Sequence, residues 1–334
     1  MLLSTQIPRP ALPSGASRCT WRDSGEYQPM PSLQYCRPQL PPVDIDESAP
    51  AINLILIKPT ERSMNTGAVD LGPNDERTWH ILYRLNKTTG DIIAVGFVDT
   101  LGGCKCKAVV LQRQNGGVRL VPKPGTIVMP SIRLPEITLL LAVPCPACLK
   151  YLWPVMASFS AVTRIVIVRA KRSNPEFIIS KALQPSVYES MIEKGMSQGS
   201  CLRPIRVDIC LEEPTSGRLL ERLGLVNNDN KDDGTARIFL DCGDDYTTPA
   251  PVRDVVLEQC KKRSDEVPSA ILAIGPEKGW TDKERNTFIK ECGFKSAMLG
   301  SSVLRVDATV MSGVGIVSAA LDECQKTIEN SPRA

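Results

Sequence analysis

The chain has 334 residues, of which 42% are hydrophobic and 23% charged, with a formal net charge of +3. This length allows one large or two medium domains. No apolar run reaches the roughly 18 to 20 residues that a membrane-spanning helix needs, which predicts a soluble chain without a membrane partner. The twelve cysteines are irregularly spaced and too sparse for a small disulfide scaffold, which indicates reduced thiols in an intracellular setting.

Residues 1–50 differ in composition from the rest of the chain. They contain nine of the 27 prolines and little apolar periodicity, which predicts a disordered leader. The first 22 residues hold Arg9, Arg18 and Arg22 and no acid, a pattern similar to an organelle transit peptide and equally compatible with an untargeted tail. We therefore expect a cytoplasmic protein, or a mitochondrial or plastid one if the leader is a transit peptide.

Residues 51–133 are typical of β-structure, with short apolar runs separated by glycine-containing turns. The predicted strands are 52–57, 92–98, 105–112 and 118–121. Their regular spacing indicates a small barrel.

Basic residues are concentrated in the same region. Between positions 77 and 133 only Asp91 and Asp99 are acidic, against nine bases: Arg77, Arg84, Lys87, Lys105, Lys107, Arg113, Arg119, Lys123 and Arg133. Phosphate contacts supply much of the affinity of nucleic-acid-binding proteins, so this domain is a candidate nucleic-acid-binding module. The alternative is a solvated basic face that has no partner.

From about residue 136 strands and helices alternate. The predicted strands are 137–143, 164–168, 236–240 and 270–274, and the predicted helices lie near 150–160, 175–197, 214–223 and 251–263. Continuous apolar strands separated by helices indicate an α/β domain with a mainly parallel sheet.

One strand-to-helix crossing has an unusual composition, Gly275-Pro-Glu-Lys-Gly-Trp280. Thr281 and Glu284 fit a capping box that begins the following helix, and Gly293 fits its end. Ligands of open α/β sheets bind at this edge, and glycines let backbone amides approach a ligand closely. A plain connecting loop is the alternative.

A second stretch, Met298 to Thr309, repeats this arrangement. It passes from a short strand (297–299) through Gly300 into an apolar helix predicted at about 308–323. The two stretches, GPEKGWTDKE and LGSSVLRVDAT, together resemble the RsmE family, which methylates uridine N3 in small-subunit ribosomal RNA. The segment from His80 to Leu85, with Gly90-Asp91, resembles the family's N-terminal RNA-contacting segment.

The resemblance implies the fold and the domain organisation. It implies an α/β protein with a trefoil-knotted SPOUT methyltransferase domain (134–334) preceded by a small PUA-like β-barrel (51–133) and the leader (1–50). It also implies a homodimer, ribosomal RNA as partner and S-adenosylmethionine (SAM) as cofactor. RNA contacts are expected from Arg77, His80, Arg84 and Lys87.

The cofactor is expected between three loops that follow strands. The implied cofactor residues are Leu240, Ile274, Gly275, Pro276, Gly279, Met298, Leu299, Gly300, Val303 and Leu304. Uridine N3 carries a proton at neutral pH, so methyl transfer to it requires a base or a cation that stabilises the uridine anion. Arg305 is the candidate cation, and Glu277 or Asp307 could remove the proton. Glu277 could instead only brace its loop, and Asp307 only cap the last helix.

Departures from the family pattern keep other functions open. Lys278 replaces a glycine, Asp307 replaces a glutamate, and residues 153–162 replace an expected helix motif. A degenerate SPOUT domain that only binds RNA is one alternative, and an enzyme with another product, such as ribose 2′-O-methylation, is a second. The pair Cys145 and Cys148 offers a weaker redox hypothesis, and no metal site is predicted because the cysteine and histidine spacing is poor.

Overall fold

The structure is a computed structural model, and it describes most of the chain beyond the leader. The described residues are 54–63, 66–100, 102–129, 134–213, 217, 220–221, 224–225, 234–241, 249–260 and 267–330. The predicted leader (1–50) and most of the helix predicted near 214–223 lie outside the described residues.

The first part of the described chain forms a five-stranded sheet. Its strands are β1 (Ile55–Ile57), β2 (Val69–Leu71), β3 (Ile92–Phe97), β4 (Cys104–Gln112) and β5 (Val118–Pro122). The order is β1-β3-β4-β5-β2, with β1 and β3 parallel and the other pairs antiparallel. The sheet is a curled half-barrel, because its outer strands β1 and β2 do not pair with each other among the described residues.

A helix covers the inner face of this small sheet, where the sequence predicted only β-structure. Helix α1 (Glu76–Trp79) continues into a π-helical turn (His80–Arg84). The Asp75 carboxylate accepts from the Arg77 amide at 2.8 Å and so caps the helix, as this residue type does at helix starts. Ile81 then lies fully buried against the alternate residues of β4 that face inward.

The second part of the chain forms a seven-stranded, wholly parallel sheet. Its strands are β6 (Glu136–Ala142), β7 (Val162–Val168), β8 (Arg206–Cys210), β9 (Thr235–Leu240), β10 (Ala250–Pro251), β11 (Ser269–Ile274) and β12 (Lys295–Met298). The order is β10-β12-β9-β11-β6-β7-β8. All four predicted strands are confirmed within two residues, and each carries a continuous apolar run because helices cover both faces of the sheet.

Five α-helices of this region are described, and the sequence predicted their positions only in part. The described ones in this region are α2 (Pro146–Ala157), α3 (Pro185–Gly199), α4 (Val252–Cys260), α5 (Asp282–Asn286) and α6 (Val306–Asn330). The single helix predicted at 175–197 is wrong in its first half. Residues 175–179 and 181–183 form two 3-10 turns, because Pro185 disfavours helical backbone in the residue before it.

Two glycines let α3 approach α2 closely. A Cβ on Gly195 would lie 2.1 Å from the Pro154 carbonyl oxygen, and one on Gly199 would lie 2.2 Å from that of Ser158. The same helix holds the small sheet, because Ser197 Oγ donates to the Leu54 carbonyl at 2.6 Å and the Leu54 amide donates to the Ser197 carbonyl at 3.3 Å.

No helix in the described part of the chain combines the length and the apolar character needed to cross a membrane.

Candidate active site

A cleft of about 640 Å³ opens at the carboxyl ends of β6, β9, β11 and β12. It lies where ligands bind to parallel sheets. All ten predicted cofactor residues line it: Leu240, Ile274, Gly275, Pro276, Gly279, Met298, Leu299, Gly300, Val303 and Leu304. The three predicted catalytic residues, Glu277, Arg305 and Asp307, line it as well.

One wall of the cleft is the loop from Gly275 to Trp280, which is held by several hydrogen bonds. The Gly279 amide donates to the Pro276 carbonyl at 2.8 Å, with Gly279 at φ +67°. Arg172 donates from one guanidinium nitrogen to the Lys278 carbonyl at 3.2 Å and to the Trp280 carbonyl at 3.0 Å. The helix that follows begins with the predicted capping box of Thr281 and Glu284, which is confirmed.

Trp280 fixes this wall from behind. Its ring is 4% exposed and packs in an aromatic cluster with Phe239 and Phe288, at centroid distances of 5.5 and 5.3 Å. A Cβ on Gly275 would lie 2.9 Å from the indole nitrogen. Glycine is therefore required at position 275 by close approach to a side chain that cannot move.

The opposite wall, from Leu299 to Leu304, is built differently. Within the described part of the chain, no hydrogen bond involves the backbone of these six residues. Gly300 has φ +153° with open space around it, and Val303 and Leu304 expose 82% and 38% of their surface. This wall therefore presents unpaired amides and carbonyls, together with apolar side chains, to the cleft.

Glu277 joins two of the strand ends. Its Oε1 accepts from the Cys145 amide at 2.7 Å, so it links the loop after β11 to the start of α2. Cys145 caps α2 by accepting from the Cys148 amide at 3.4 Å. Burial, Cys145 and the carboxylates of Asp307 and Glu277 raise the pKa of the Cys148 thiol to about 12, so this thiol stays neutral.

Arg305 is the most exposed of the three candidate catalytic residues. Its side chain is 85% exposed, and its Nε lies 3.4 Å from Asp307 Oδ1. Asp307 also accepts from the Ala308 amide at 3.0 Å. It lies inside the first turn of α6, which begins at Val306, and so it does not cap that helix. The outer nitrogens of the guanidinium have no partner among the residues that the structure describes.

Sequence reasoning missed several residues of the cleft. Arg172, Asn174 and Phe177 reach it from the connection after β7, and Asp241 lies at the end of β9. Asp241 accepts from Arg285 at 2.6 and 3.2 Å, which ties the end of β9 to helix α5. No local motif marks these positions, because the fold alone brings them to the cleft.

Arg77, predicted to contact RNA, has a structural role instead. Its N–H groups donate to the Asp75 and Glu61 carboxylates and to the Leu56 carbonyl, at 2.6 to 3.0 Å. Burial raises the pKa of both carboxyls, but the hydrogen bonds from Arg77 outweigh it, so each pKa lies below its ordinary value. The guanidinium thus has no donor left for a phosphate.

Of the other predicted RNA-contacting residues, His80 and Arg84 lie on the same helical segment and Lys87 follows its end. His80 borders a larger groove of about 1250 Å³ between the small sheet and α3. That groove is lined by several carboxylates, including Glu61, Glu189 and Glu193, which disfavours an anionic ligand. Arg84 is exposed and Lys87 half-buried, and their role in RNA binding stays a prediction.

The described residues hold no group of three or more His, Cys, Asp or Glu side chains placed to bind a metal ion. All nine cysteines described are free thiols.

A parallel sheet flanked by helices, with glycine-containing loops around a cleft at the carboxyl ends of its strands, is typical of α/β proteins that bind a ligand. The RNA methyltransferase domain family matches residues 132–318, more than half of the chain. The chain therefore belongs to that family, and the RsmE-type resemblance is confirmed at the level of the family. No curated protein matches the chain.

Solved structures share the fold over most of the chain. The ribosomal RNA small subunit methyltransferase E of Neisseria gonorrhoeae, bound to S-adenosyl methionine, is 14% identical with a TM-score of 0.57, covering 80% of this chain and 98% of that one. A probable rRNA-methyltransferase of Porphyromonas gingivalis is 13% identical with a TM-score of 0.57, at 81% and 98% coverage. A putative methyltransferase of Legionella pneumophila, in complex with SAM, is 16% identical with a TM-score of 0.57, at 80% and 98% coverage.

Proposed function

We propose that this chain is a SAM-dependent RNA methyltransferase that forms N3-methyluridine in small-subunit ribosomal RNA. One observation carries the proposal: thirteen residues from separate parts of the sequence, singled out by their motif, line one cleft at the strand ends. Two solved structures with this fold contain SAM, which supports the choice of cofactor.

The residues of the cleft fit this cofactor. The unpaired backbone groups of the wall from Leu299 to Leu304 can hydrogen-bond an adenine edge, and the apolar side chains of Leu299, Val303 and Leu304 can cover its faces. The braced wall from Gly275 to Gly279 would hold the opposite side. When bound, SAM supplies an electrophilic methyl group on its sulfonium.

Arg305 would stabilise the uridine as it loses its N3 proton. Negative charge then develops on the base oxygens O2 and O4, and a guanidinium aimed at them lowers the barrier most effectively in a site that excludes water. Arg305 suits this role because its outer nitrogens are unpaired and Asp307 holds its Nε. A base in structured RNA would have to leave its stack to reach the cleft.

Either carboxylate could accept the N3 proton. Glu277 has one oxygen bound by the Cys145 amide and Asp307 has one bound near Arg305, so each keeps a second oxygen for a proton. We expect the variant that removes the base, Glu277→Gln or Asp307→Asn, to regain activity at alkaline pH, where uridine N3 ionises without help. If the activity of both variants is lowered by the same factor at every pH, the two carboxylates only position other groups.

The test combines cofactor binding with product analysis. Calorimetry with SAM on the full chain should give stoichiometric binding. Incubation with unmodified small-subunit ribosomal RNA, followed by nucleoside mass spectrometry, should give N3-methyluridine. Cofactor binding or RNA binding without any methylated nucleoside would favour a degenerate RNA-binding protein, and a 2′-O-methylated nucleoside would show another product.

We also propose the finer features that the family resemblance implies. These are a trefoil knot in the region from β9 to α6, closure of the small sheet as a PUA-like barrel, and a homodimer.

Light scattering coupled to size-exclusion chromatography tests the dimer, since a monomer at micromolar concentration would exclude it. The cytoplasmic or organellar location stays a prediction that fluorescence microscopy of the full chain can test.

A further inference from the structure

The helical segment that covers the small sheet exposes two large aromatic rings. Trp79 is 51% exposed and Tyr83 is 70% exposed. The two other described tryptophans, Trp153 and Trp280, are 0% and 4% exposed. Tryptophan is strongly buried on average in proteins, so an exposed one beside an exposed tyrosine indicates a binding surface.

The two rings are arranged on one face. Trp79 and Tyr83 are four residues apart, and their ring centroids lie 6.1 Å apart at an interplanar angle of 39°. The Arg84 guanidinium lies 5.3 Å from the Trp79 ring centroid. On the inner side Thr78 and Ile81 are buried, so the segment is fixed to the sheet and the rings are held in place.

The charges beside the rings favour an anionic partner. Neither Arg84 nor Lys87 forms a salt bridge with a carboxylate of the described residues, although Asp91 lies near Lys87. Two nearby acids are paired, since Glu76 lies 3.7 Å from Lys194 and Arg77 binds Asp75. Trp79 also borders the acidic groove beside α3, which Tyr83, Arg84 and Lys87 do not line. The free charge is therefore positive on the Tyr83 side of the rings.

We propose that Trp79 and Tyr83 form a stacking platform for the bases of unpaired RNA, with Arg84 and Lys87 contacting the adjoining phosphates. The choice of RNA as the partner rests on the proposed function. Every base has a π-face, so aromatic rings beside cations bind single strands with little sequence preference. A duplex keeps its bases stacked on each other and cannot use the rings in this way.

The test measures RNA binding to the full chain without cofactor. Fluorescence anisotropy with short oligouridine is compared for the unchanged chain, Trp79→Leu and Tyr83→Leu. Each substitution should weaken binding about tenfold, because stacking contributes about 1–3 kcal/mol per base. Trp79→Phe, which keeps a ring, should recover most of the affinity, and tryptophan quenching by oligouridine should be lost in that variant.

Two controls make the result specific. Tyr151→Leu changes an aromatic side chain that is 55% exposed on α2 and should leave the affinity unchanged. An abasic strand of the same length should bind all variants equally, because it has phosphates but no bases. Unchanged oligouridine binding in a variant that combines Trp79→Leu with Tyr83→Leu, or an equal loss of affinity for the abasic strand, would overturn the platform. These RNA-binding results do not depend on SAM. A failure of the chain to bind SAM would contradict the proposed function and not the stacking platform.

Discussion

The two walls of the cleft are built in opposite ways. The loop from Gly275 to Trp280 is tied to three other elements, through Arg172, through the Cys145 amide and through the buried ring of Trp280. The loop from Leu299 to Leu304 has no hydrogen bond to any other described residue. The first loop is therefore preorganised for a ligand. The second loop has backbone polar groups that are still available for hydrogen bonds, so we expect it to supply most of the ligand contacts.

The largest effect on activity is expected at Arg305, which directly follows the loop from Leu299 to Leu304. This loop, which no hydrogen bond within the described part of the chain holds, is called the unbraced wall below, and the loop from Gly275 to Trp280 the braced wall. Arg305→Ala should lower the rate of methyl transfer about 10² to 10³-fold, as loss of a charge-stabilising group does, while SAM affinity stays within about twofold. Single-turnover assays and calorimetry measure the two quantities. Arg169→Ala, which removes an arginine that is also exposed, should have no effect on the rate. Full activity of Arg305→Ala with normal cofactor binding would remove this residue from the mechanism.

A substitution in the unbraced wall should affect ligand binding more than folding. Gly300→Ala forces an alanine into φ +153°, a conformation that costs a non-glycine residue about 1–3 kcal/mol. Because no hydrogen bond among the described residues holds this wall, its backbone can relax to another conformation and avoid most of this cost. We therefore expect the unfolding temperature to change little, while the displaced backbone groups lower SAM affinity about tenfold. Gly125→Ala is the matched control, since Gly125 has φ +76° and open space around it in a turn of the small sheet. Equal losses of affinity in both variants would contradict the contrast.

A substitution behind the braced wall should affect both quantities modestly. Arg172→Met removes the donors to the Lys278 and Trp280 carbonyls. The side chain is exposed, so we expect a loss of about 1 kcal/mol in unfolding free energy and a SAM affinity about fivefold weaker. Thermal unfolding and calorimetry measure these changes, with Arg169→Met as the control. Normal SAM binding by Arg172→Met would show that the hydrogen bonds from Arg172 are not needed to hold the loop from Gly275 to Trp280 in its binding conformation.

The smallest effect is expected at Lys278, one of the positions where the sequence departs from the family pattern. Lys278 does not have a positive φ, since Asn86 and Ser200 are the non-glycine residues that do within the described chain, and it is exposed. The lysine therefore does not strain the loop. Lys278→Gly should leave SAM affinity within about twofold. A tenfold gain would show that the loop needs glycine there to bind its ligand.

The central strands were predictable because their surroundings are uniform. β6 and β11 are buried on both faces, so their sequences are apolar throughout. β8 was missed because it is an edge strand that pairs with β7 alone, and its Arg206 and Asp208 form an ion-pair group with Arg164. The five residues of β8 alternate charged and apolar side chains, but so short an alternation is a weak strand signal.

The site was predictable where its residues adjoin in sequence. Two stretches supply eleven of the thirteen residues singled out for catalysis and cofactor binding, and the other two, Leu240 and Ile274, are the last residues of predicted strands. Arg172 and the Cys145 amide could not be found in this way. They lie 106 and 132 residues from their partners, and only the order of the strands brings them together.

The close contact between α2 and α3 has a consequence for the whole molecule. Gly195 and Gly199 bring α3 against the backbone of α2, and the same helix binds Leu54 at the edge of the small sheet. Cys145, the residue that caps the start of α2, lines the cleft. A larger side chain at Gly195 or Gly199 would push α3 away from α2, and it would shift the small sheet that α3 holds together with the rings of Trp79 and Tyr83.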